Sequence, residues 1–221
     1  MTASKWLPVV GVVLLWSGSV VAQDPAKVSP GTYKVILDNP TVRVFRVTGA
    51  PGNKVAAHTH PDHLAIALAP GKVQIVADGK TQTLDMANET ASYVPAGTHE
   101  SSNAGTVPLD AIVVELKAPA GKAQVPPVRE GMNAKLLAEG PKAVAHRMTA
   151  EATFQEPAGT KHEYAQVVIA LEPSGMSLSI DGKPAKTQWT RGEVAFIGRG
   201  VAHESKNTGG KPAGFIIVTI R

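Results

Sequence analysis

The sequence has no cysteine and few aromatic residues, and both absences exclude classes of protein. The chain therefore forms no disulfides, and any bound metal must use histidine, carboxylate, amide or water ligands. Only 5% of the residues are aromatic, the net charge is +4, and the lysines and arginines are scattered. Nucleic-acid binding usually needs a basic face with stacking rings. A nucleic-acid partner is therefore not expected.

The first 22 residues have the features of a secretory signal peptide. Lys5 gives a short positive region, residues 6–16 are mostly apolar, and the small residues Val20 and Ala22 precede the expected cleavage site. The apolar run is too short to span a bilayer, which disfavours the alternative of a retained membrane anchor. We expect an exported protein, periplasmic or extracellular, that begins at Gln23 and has no membrane span after cleavage.

Long stretches with a helical apolar period are also missing. Short β-branched runs recur instead, separated by Gly, Pro, Asn and Asp, and they include YKVIL, VRVFRV, LAIAL, KVQIV, AIVVEL, AQVVIAL and GFIIVTI. Many short strands with turns between them predict an all-β sandwich or barrel. One segment, GMNAKLLAEG at 131–140, has the composition of a helix.

Two halves of the chain are similar in sequence. DGK begins at Asp78 and again at Asp181, and IAL ends at Leu68 and again at Leu171. HESSN at 99–103 likewise matches HESKN at 203–207. Ordered matches at nearly one spacing indicate an internal duplication. We predict two domains, 32–117 and 143–221, joined by a linker rich in Pro, Ala and Gly at 118–142.

Three of the seven histidines lie within HTHPDH, immediately before an apolar run. On a strand, His58 and His60 point to one face and Thr59 to the other. Imidazole groups in this arrangement suit a divalent transition metal, namely Fe, Mn, Ni, Cu or Zn.

The motifs resemble those of the cupin superfamily. Its first motif is matched by Gly52, His58, His60 and Gly71, and its second by Pro95, Gly97, His99 and Asn103. The second motif recurs as Gly198, Gly200, His203 and Asn207. The resemblance implies two tandem jelly-roll barrels, a bicupin, with His99 brought beside His58 and His60 at one barrel mouth. Asn103 is expected to fix loop geometry.

The fourth ligand departs from the family pattern. Counting back from the IAL strand, the usual Glu or Gln position is His63, whereas counting forward from His60 it is Leu64, which cannot bind metal. The strand register favours His63, although this side chain could instead face solvent beside the turn. The predicted metal ligands of the first half are His58, His60, His63 and His99.

The second half keeps fewer ligands. His162, Gln166 and His203 are weak candidates for a second site, and Thr160 stands where the first histidine of the motif would be. A degenerate module kept for structure is favoured over a second tight site. His146 is isolated and is expected on the surface or packed in the core.

The function is predicted less directly than the fold, because it depends on the residues of the site and not on the fold. The resemblance implies a metal-dependent enzyme acting on a small organic molecule by dioxygenase-like or isomerase-like chemistry. Ala65 and Ala67 are expected to face inward and leave room for a ligand, whereas Leu64, Ile66 and Leu68 pack on the other side. The alternative is a non-catalytic periplasmic protein that binds a metal or small molecule. A homo-oligomer is left open.

Overall fold

The computed structural model describes residues 23–119, 121 and 129–221. The predicted signal peptide lies outside these residues. Within them the only helix is α1 (Pro25–Val28), and no helix is long and apolar enough to cross a membrane. The prediction of an all-β protein is confirmed, because antiparallel strands make up most of the described chain.

The first half contains two sheets. Its strands are β1 (Tyr33–Asp38), β2 (Val42–Gly49), β3 (Lys54–His60), β4 (His63–Ala67), β5 (Gly71–Ala77), β6 (Lys80–Met86), β7 (Thr90–Val94), β8 (Gly97–Asn103) and β9 (Leu109–Leu116). One sheet has the order β1-β2-β9-β4-β7 and the other has the order β3-β8-β5-β6. Strands that cross between two facing sheets in this way form a jelly roll.

The second half repeats this order. Its strands are β10 (Met132–Glu139), β11 (Ala143–Ala150), β12 (Ala165–Ala170), β13 (Met176–Ile180), β14 (Lys183–Lys186), β15 (Val194–Ile197), β16 (His203–Asn207) and β17 (Ala213–Ile220). They form sheets β10-β11-β17-β12-β15 and β14-β13-β16. The described second half has no counterpart of β3; two isolated bridges, Gln155–Lys206 and Thr160–His203, take the place of its pairing, and the second corresponds to the His58–His99 pair.

The predicted helix at 131–140 is wrong. This segment is strand β10, which pairs along its length with β11 at the edge of the sheet. Ala, Leu, Lys and Glu favour helices, but pairing with β11 overrides that weak local preference. The second half's sheet therefore begins at Met132, inside the segment that we predicted as a linker.

The DGK repeats form matching hairpin turns. Asp78 and Gly79 have φ values of 49° and 70°, and Asp181 and Gly182 have values of 49° and 71°. Positive φ at both central residues is the type I′ geometry that joins two strands tightly, and Asp-Gly is among its preferred sequences. The turns join β5 to β6 and β13 to β14.

The main hydrophobic core lies between the two halves. Leu64, Ile66 and Leu68 are fully buried there and belong to one cluster with Val167 and Ile169 of β12. The two five-stranded sheets thus bury their outer faces against each other. Because side chains alternate along a strand, the intervening residues of β4 face the interior of the first barrel. The predicted inward direction of Ala65 and Ala67 is confirmed, since both line a cavity there.

Candidate metal centre

Three histidines of the first half converge at one end of the barrel. His58 and His60 come from β3, and His99 from β8 is the cross-strand partner of His58. One ring nitrogen from each lies within 4.8 Å of the other two. The side chains of His58 and His60 are buried. The structure therefore brings together three predicted ligands from two separate segments.

Backbone carbonyls fix the orientation of two of the rings. The Nδ1 atom of His58 lies 2.8 Å from the oxygen of Ala56, and that of His63 lies 2.9 Å from the oxygen of Pro61. A carbonyl oxygen can only accept a hydrogen bond, so each Nδ1 carries the proton. Each Nε2 consequently presents a lone pair, which is the form of imidazole that binds metals.

A buried carboxylate orients the ring of His60. Glu115 on β9 accepts a hydrogen bond from Nδ1 of His60 at 2.8 Å, and both side chains are buried. Burial raises the pKa of Glu115 to about 7. A carboxylate behind a ligating histidine fixes its tautomer and increases its basicity.

Burial also keeps the histidines neutral. It lowers the pKa of His60 and His63 to about 4 and that of His99 to about 3, and it lowers the pKa of His58 as well. Protonation of one ring is further opposed by its neighbours, because charged imidazoles would repel one another. At neutral pH the site offers uncharged nitrogen donors.

His63 is buried beside this group rather than directed to solvent. Its ring centroid lies 4.7 Å from that of His60, but His63 is not a member of the compact three-histidine group. It pairs across the sheet with Glu115, as Gln166 pairs with Thr219 in the second half. The register thus gives His63 and Gln166 the same position, and a ligating role for His63 stays a prediction.

Tyr33 on β1 closes the cluster from inside the barrel. Its hydroxyl lies 3.3 Å from Nε2 of His58, and because that nitrogen carries a lone pair, the hydroxyl is the donor. Burial raises the pKa of Tyr33 to about 12, so the hydroxyl keeps its proton. It is a neutral proton donor at the point where the histidines meet.

A cavity of about 480 Å³ adjoins His60 and His99 of this group. His60, His63, His99 and Tyr33 line one end, and apolar side chains of several strands line most of the remainder. Ligand sites typically have this size and this mostly apolar character.

The second half has a related but different cluster. His162 and His203 lie close together, with ring centroids 4.7 Å apart, and their nitrogens lie within 4.8 Å of a carboxylate oxygen of Glu156. Glu156 is almost fully buried. It was not among the predicted ligands, because it lies outside the repeated motifs.

Arg129 completes this second cluster with a positive charge. Its guanidinium contacts both the carboxylate of Glu156 and Nε2 of His162. The Nδ1 atom of His203 donates to the oxygen of Val201, so its Nε2 lone pair faces Glu156 at 3.4 Å. Two acceptors that face one another in a buried space are unfavourable without a proton or a cation. Arg129 supplies a cation to Glu156 and His162, whereas Nε2 of His203 has no hydrogen-bond partner among the described residues.

The interior of the second barrel is filled. Its cavity is only about 90 Å³, and large side chains pack into it, including Phe154, Met176, Trp189 and Phe215. Gln166 and His146 also line this small cavity. His146 therefore lies on the barrel interior, among packed residues, and it is not part of the Glu156 cluster.

Solved structures share this architecture at low sequence identity. The AerE protein of Microcystis aeruginosa is 14% identical with a TM-score of 0.64 over 86% of this chain and 97% of that chain. A cupin 2 conserved barrel domain protein from Leptotrichia buccalis is 17% identical with a TM-score of 0.55 over 86% and 88%. The chain has the cupin fold.

Other cupin-fold structures similar to the chain are enzymes. The salicylate 1,2-dioxygenase of Pseudoaminobacter salicylatoxidans, solved with gentisate, is 11% identical with a TM-score of 0.62 over 83% of this chain and 70% of that chain. A single-substitution variant of the oxalate decarboxylase of B. subtilis is 12% identical with a TM-score of 0.60 over 82% and 69%. No protein-family model matches the sequence, and neither does any curated protein.

Four residues of these two sites, namely Tyr33, Glu115, Glu156 and Arg129, were not predicted from the sequence. Glu115 had a usable signal, since it interrupts the apolar run AIVVEL next to the end of a buried strand. Glu156 and Arg129 had none, because each comes from an irregular segment and meets the histidines only through the folded backbone. Asn103 behaves as expected: its amide donates to the oxygens of Gly49 and Val107 and so fixes the loop.

Proposed function

We propose that this chain is a bicupin that binds one divalent transition metal in its first half and acts there on a small organic molecule. The observation that carries the proposal is the convergence on one point of the neutral side chains of His58, His60 and His99, of which the first two are buried. Three protein ligands with a position left open are typical of catalytic metal sites.

The donor set fits such a metal. All three ligands are imidazoles, and two of them are oriented by hydrogen bonds at Nδ1 that leave the Nε2 lone pair as the donor to a metal. Imidazole suits Zn, Cu, Fe and Ni, and Mn would need oxygen ligands from water or substrate beside the imidazoles. Burial lowers the pKa of each of these histidines, so protons do not compete for the nitrogens at neutral pH. His63 is the candidate for a fourth ligand.

The chain's own residues prepare the site for chemistry on an oxygen-bearing ligand. A bound metal would act as a Lewis acid or, if redox-active, activate dioxygen. Glu115 holds the His60 ring in place, and Tyr33 holds a proton at the edge of the group. The adjoining cavity binds the organic molecule and excludes water from it. Similar structures with dioxygenase and decarboxylase names support this class of reaction.

One observation favours the alternative of a non-catalytic binding protein. Apart from the histidines and Tyr33, Asp85 is the one ionisable residue among the described residues that line the cavity, and its side chain is 83% exposed. A general base within reach of a bound substrate is therefore not evident. Both alternatives bind a metal, and they differ in whether the bound molecule is converted to a product.

Cobalt substitution tests the metal site directly. Titrating metal-free protein with Co²⁺ should produce visible absorption that saturates at about one equivalent, and the band should be lost in His60→Ala. Lys54→Ala, an exposed change on the same strand, is the control that should keep the band. Absence of the band in the parent protein would refute the proposal.

A second assay separates enzyme from binding protein. Protein loaded with Fe²⁺, Mn²⁺, Ni²⁺ or Cu²⁺ is supplied with a panel of catechols, flavonols and keto acids while dioxygen uptake and product formation are followed. Turnover that disappears in His60→Ala supports the enzyme. Binding without turnover across the panel supports the non-catalytic alternative.

Export belongs to the same proposal. Features of residues 1–22 support secretion to the periplasm or the exterior. The intact mass of the exported protein should equal that of a chain that begins at Gln23. Recovery of the chain with Met1 in a membrane fraction would contradict this.

A further inference from the structure

The cavity of the first half indicates which molecules it takes, an inference that rests on the proposed function of the same site. We propose that its ligand has one oxygen-bearing polar end, directed at His58, His60 and His99, and an uncharged apolar body. The body is aromatic or aliphatic and occupies the rest of the 480 Å³ cavity.

Apolar side chains supply most of the wall. Val73 and Ile75 of β5, Val113 of β9 and Ala65 of β4 belong to different strands and face one space. Burial of apolar surface stabilises a complex by about 25 cal/mol per Å² before the costs of association. An apolar body therefore gains from every side of this cavity.

Positive charge is missing from the wall. Among the lining residues in the described part of the chain there is no lysine or arginine. The single acid, Asp85, is at the surface, with its carboxylate 3.2 Å from Nζ of Lys72. A carboxylate placed deep in this space would lose its hydration without gaining a partner, at a cost of several kcal/mol. Only the metal end offers compensation for an anion.

The exposed lining of the cavity on β6 combines the apolar Leu84 with the polar Gln82 and Asp85. Leu84 on the edge strand β6 lines the cavity and yet is 40% exposed, so an apolar surface reaches from solvent into the site. Inside, the hydroxyl of Ser101, on the same face of β8 as His99, is neutral and suits an uncharged polar substituent. The cavity therefore favours phenols and related neutral compounds over molecules with a second anionic group.

Two probes with the same bicyclic body test this in metal-free protein. At neutral pH 2-naphthol is uncharged and 2-naphthoate is an anion. By isothermal titration calorimetry, 2-naphthol should bind at least about ten-fold more tightly, which corresponds to about 1.4 kcal/mol. Equal or tighter binding of 2-naphthoate would overturn the proposal, as would no binding of 2-naphthol.

Matched variants locate the probe. Ala65 and Val168 occupy corresponding positions on β4 and β12, facing the interiors of the two barrels. Ala65→Leu should weaken 2-naphthol binding at least about ten-fold, and Val168→Ala should leave it unchanged. If Ala65→Leu does not fold, Val73→Lys is the second variant, and its added charge should reverse the preference toward 2-naphthoate. Unchanged binding in the folded variant would overturn the assignment.

Orientation is tested with naphthalene-2,3-diol, whose adjacent hydroxyls can reach a metal. Protein loaded with Co²⁺ should bind it about ten-fold more tightly than metal-free protein does. Equal affinities would overturn the proposal that the polar end of the ligand is directed at the metal site. Because the naphthol experiment uses metal-free protein, its outcome is independent of the cobalt titration, and failure of the metal site can be told from failure of the cavity assignment.

Discussion

The two halves of this chain share a strand order but differ in what the barrel encloses. The first encloses about 480 Å³ beside a group of three histidines, whereas the second encloses about 90 Å³ beside a carboxylate, two histidines and an arginine. Equivalent positions explain the difference in volume. Ala111, the partner of Ala67, corresponds to Phe215, the partner of Ala170.

The comparison shows that one scaffold can enclose an open cavity or a packed core. Larger side chains in the second half convert the cavity into close-packed interior, which stabilises a fold but leaves no room for a ligand. Thr219 stands where Glu115 supports His60 in the first half. The loss of cavity and the loss of metal support occur together.

The largest expected effect is on metal affinity at the first site. His58→Ala removes one of three imidazoles and should weaken Co²⁺ binding more than about 1,000-fold, or over about 4 kcal/mol. Thr160→Ala alters the corresponding position of the second half and should leave the affinity unchanged. Competition with a chelator of known affinity measures both, and equal losses would contradict the asymmetry.

The cavity of the first half and the packed interior of the second half should also respond differently to a change in side-chain volume. Phe215→Ala should destabilise the protein by about 3–4 kcal/mol, because it opens a void in the packed second barrel. Ala111→Phe should cost less, about 1 kcal/mol, since the added ring can extend into existing space. Urea unfolding gives both values. A larger loss for Ala111→Phe would show that the first cavity is not open to the ring.

Removing Arg129 should leave the cluster of Glu156, His162 and His203 without its positive charge. Arg129→Met leaves the carboxylate of Glu156 buried without a cation, which should cost about 3 kcal/mol. Added Zn²⁺ should restore melting temperature in this variant by binding Glu156, His162 and His203. Arg147→Met, which breaks a more exposed pair with Glu89, should cost under about 1 kcal/mol. If Zn²⁺ gives Arg129→Met no extra stabilisation, Glu156, His162 and His203 do not hold a metal even without Arg129.

A smaller effect is expected from the carboxylate behind His60. Glu115→Gln should lower metal affinity about 10- to 100-fold, the usual effect of losing such a partner. Glu115→Thr, which copies the second half, should lower it at least as far. Co²⁺ titration of both variants checks this, and parent-like affinity would show that Glu115 serves the fold alone.

Much of this organisation was predictable because it is local. Periodic β-branched runs indicated the strands, and ordered repeats indicated two similar halves. The spacing of His58 and His60 placed both rings on one face of a strand. Strand β10 was not predictable, because its helix-favouring residues are held extended by pairing with β11. Glu156 and Arg129 were missed because only the folded chain brings them to His162.

The count of metal ions per chain tests the central claim, that only the first half holds a metal. Elemental analysis of metal-loaded, desalted protein should give about one ion per chain in the parent and in His203→Ala, and close to none in His99→Ala. Two ions in the parent chain, or one retained in His99→Ala and lost in His203→Ala, would contradict the account.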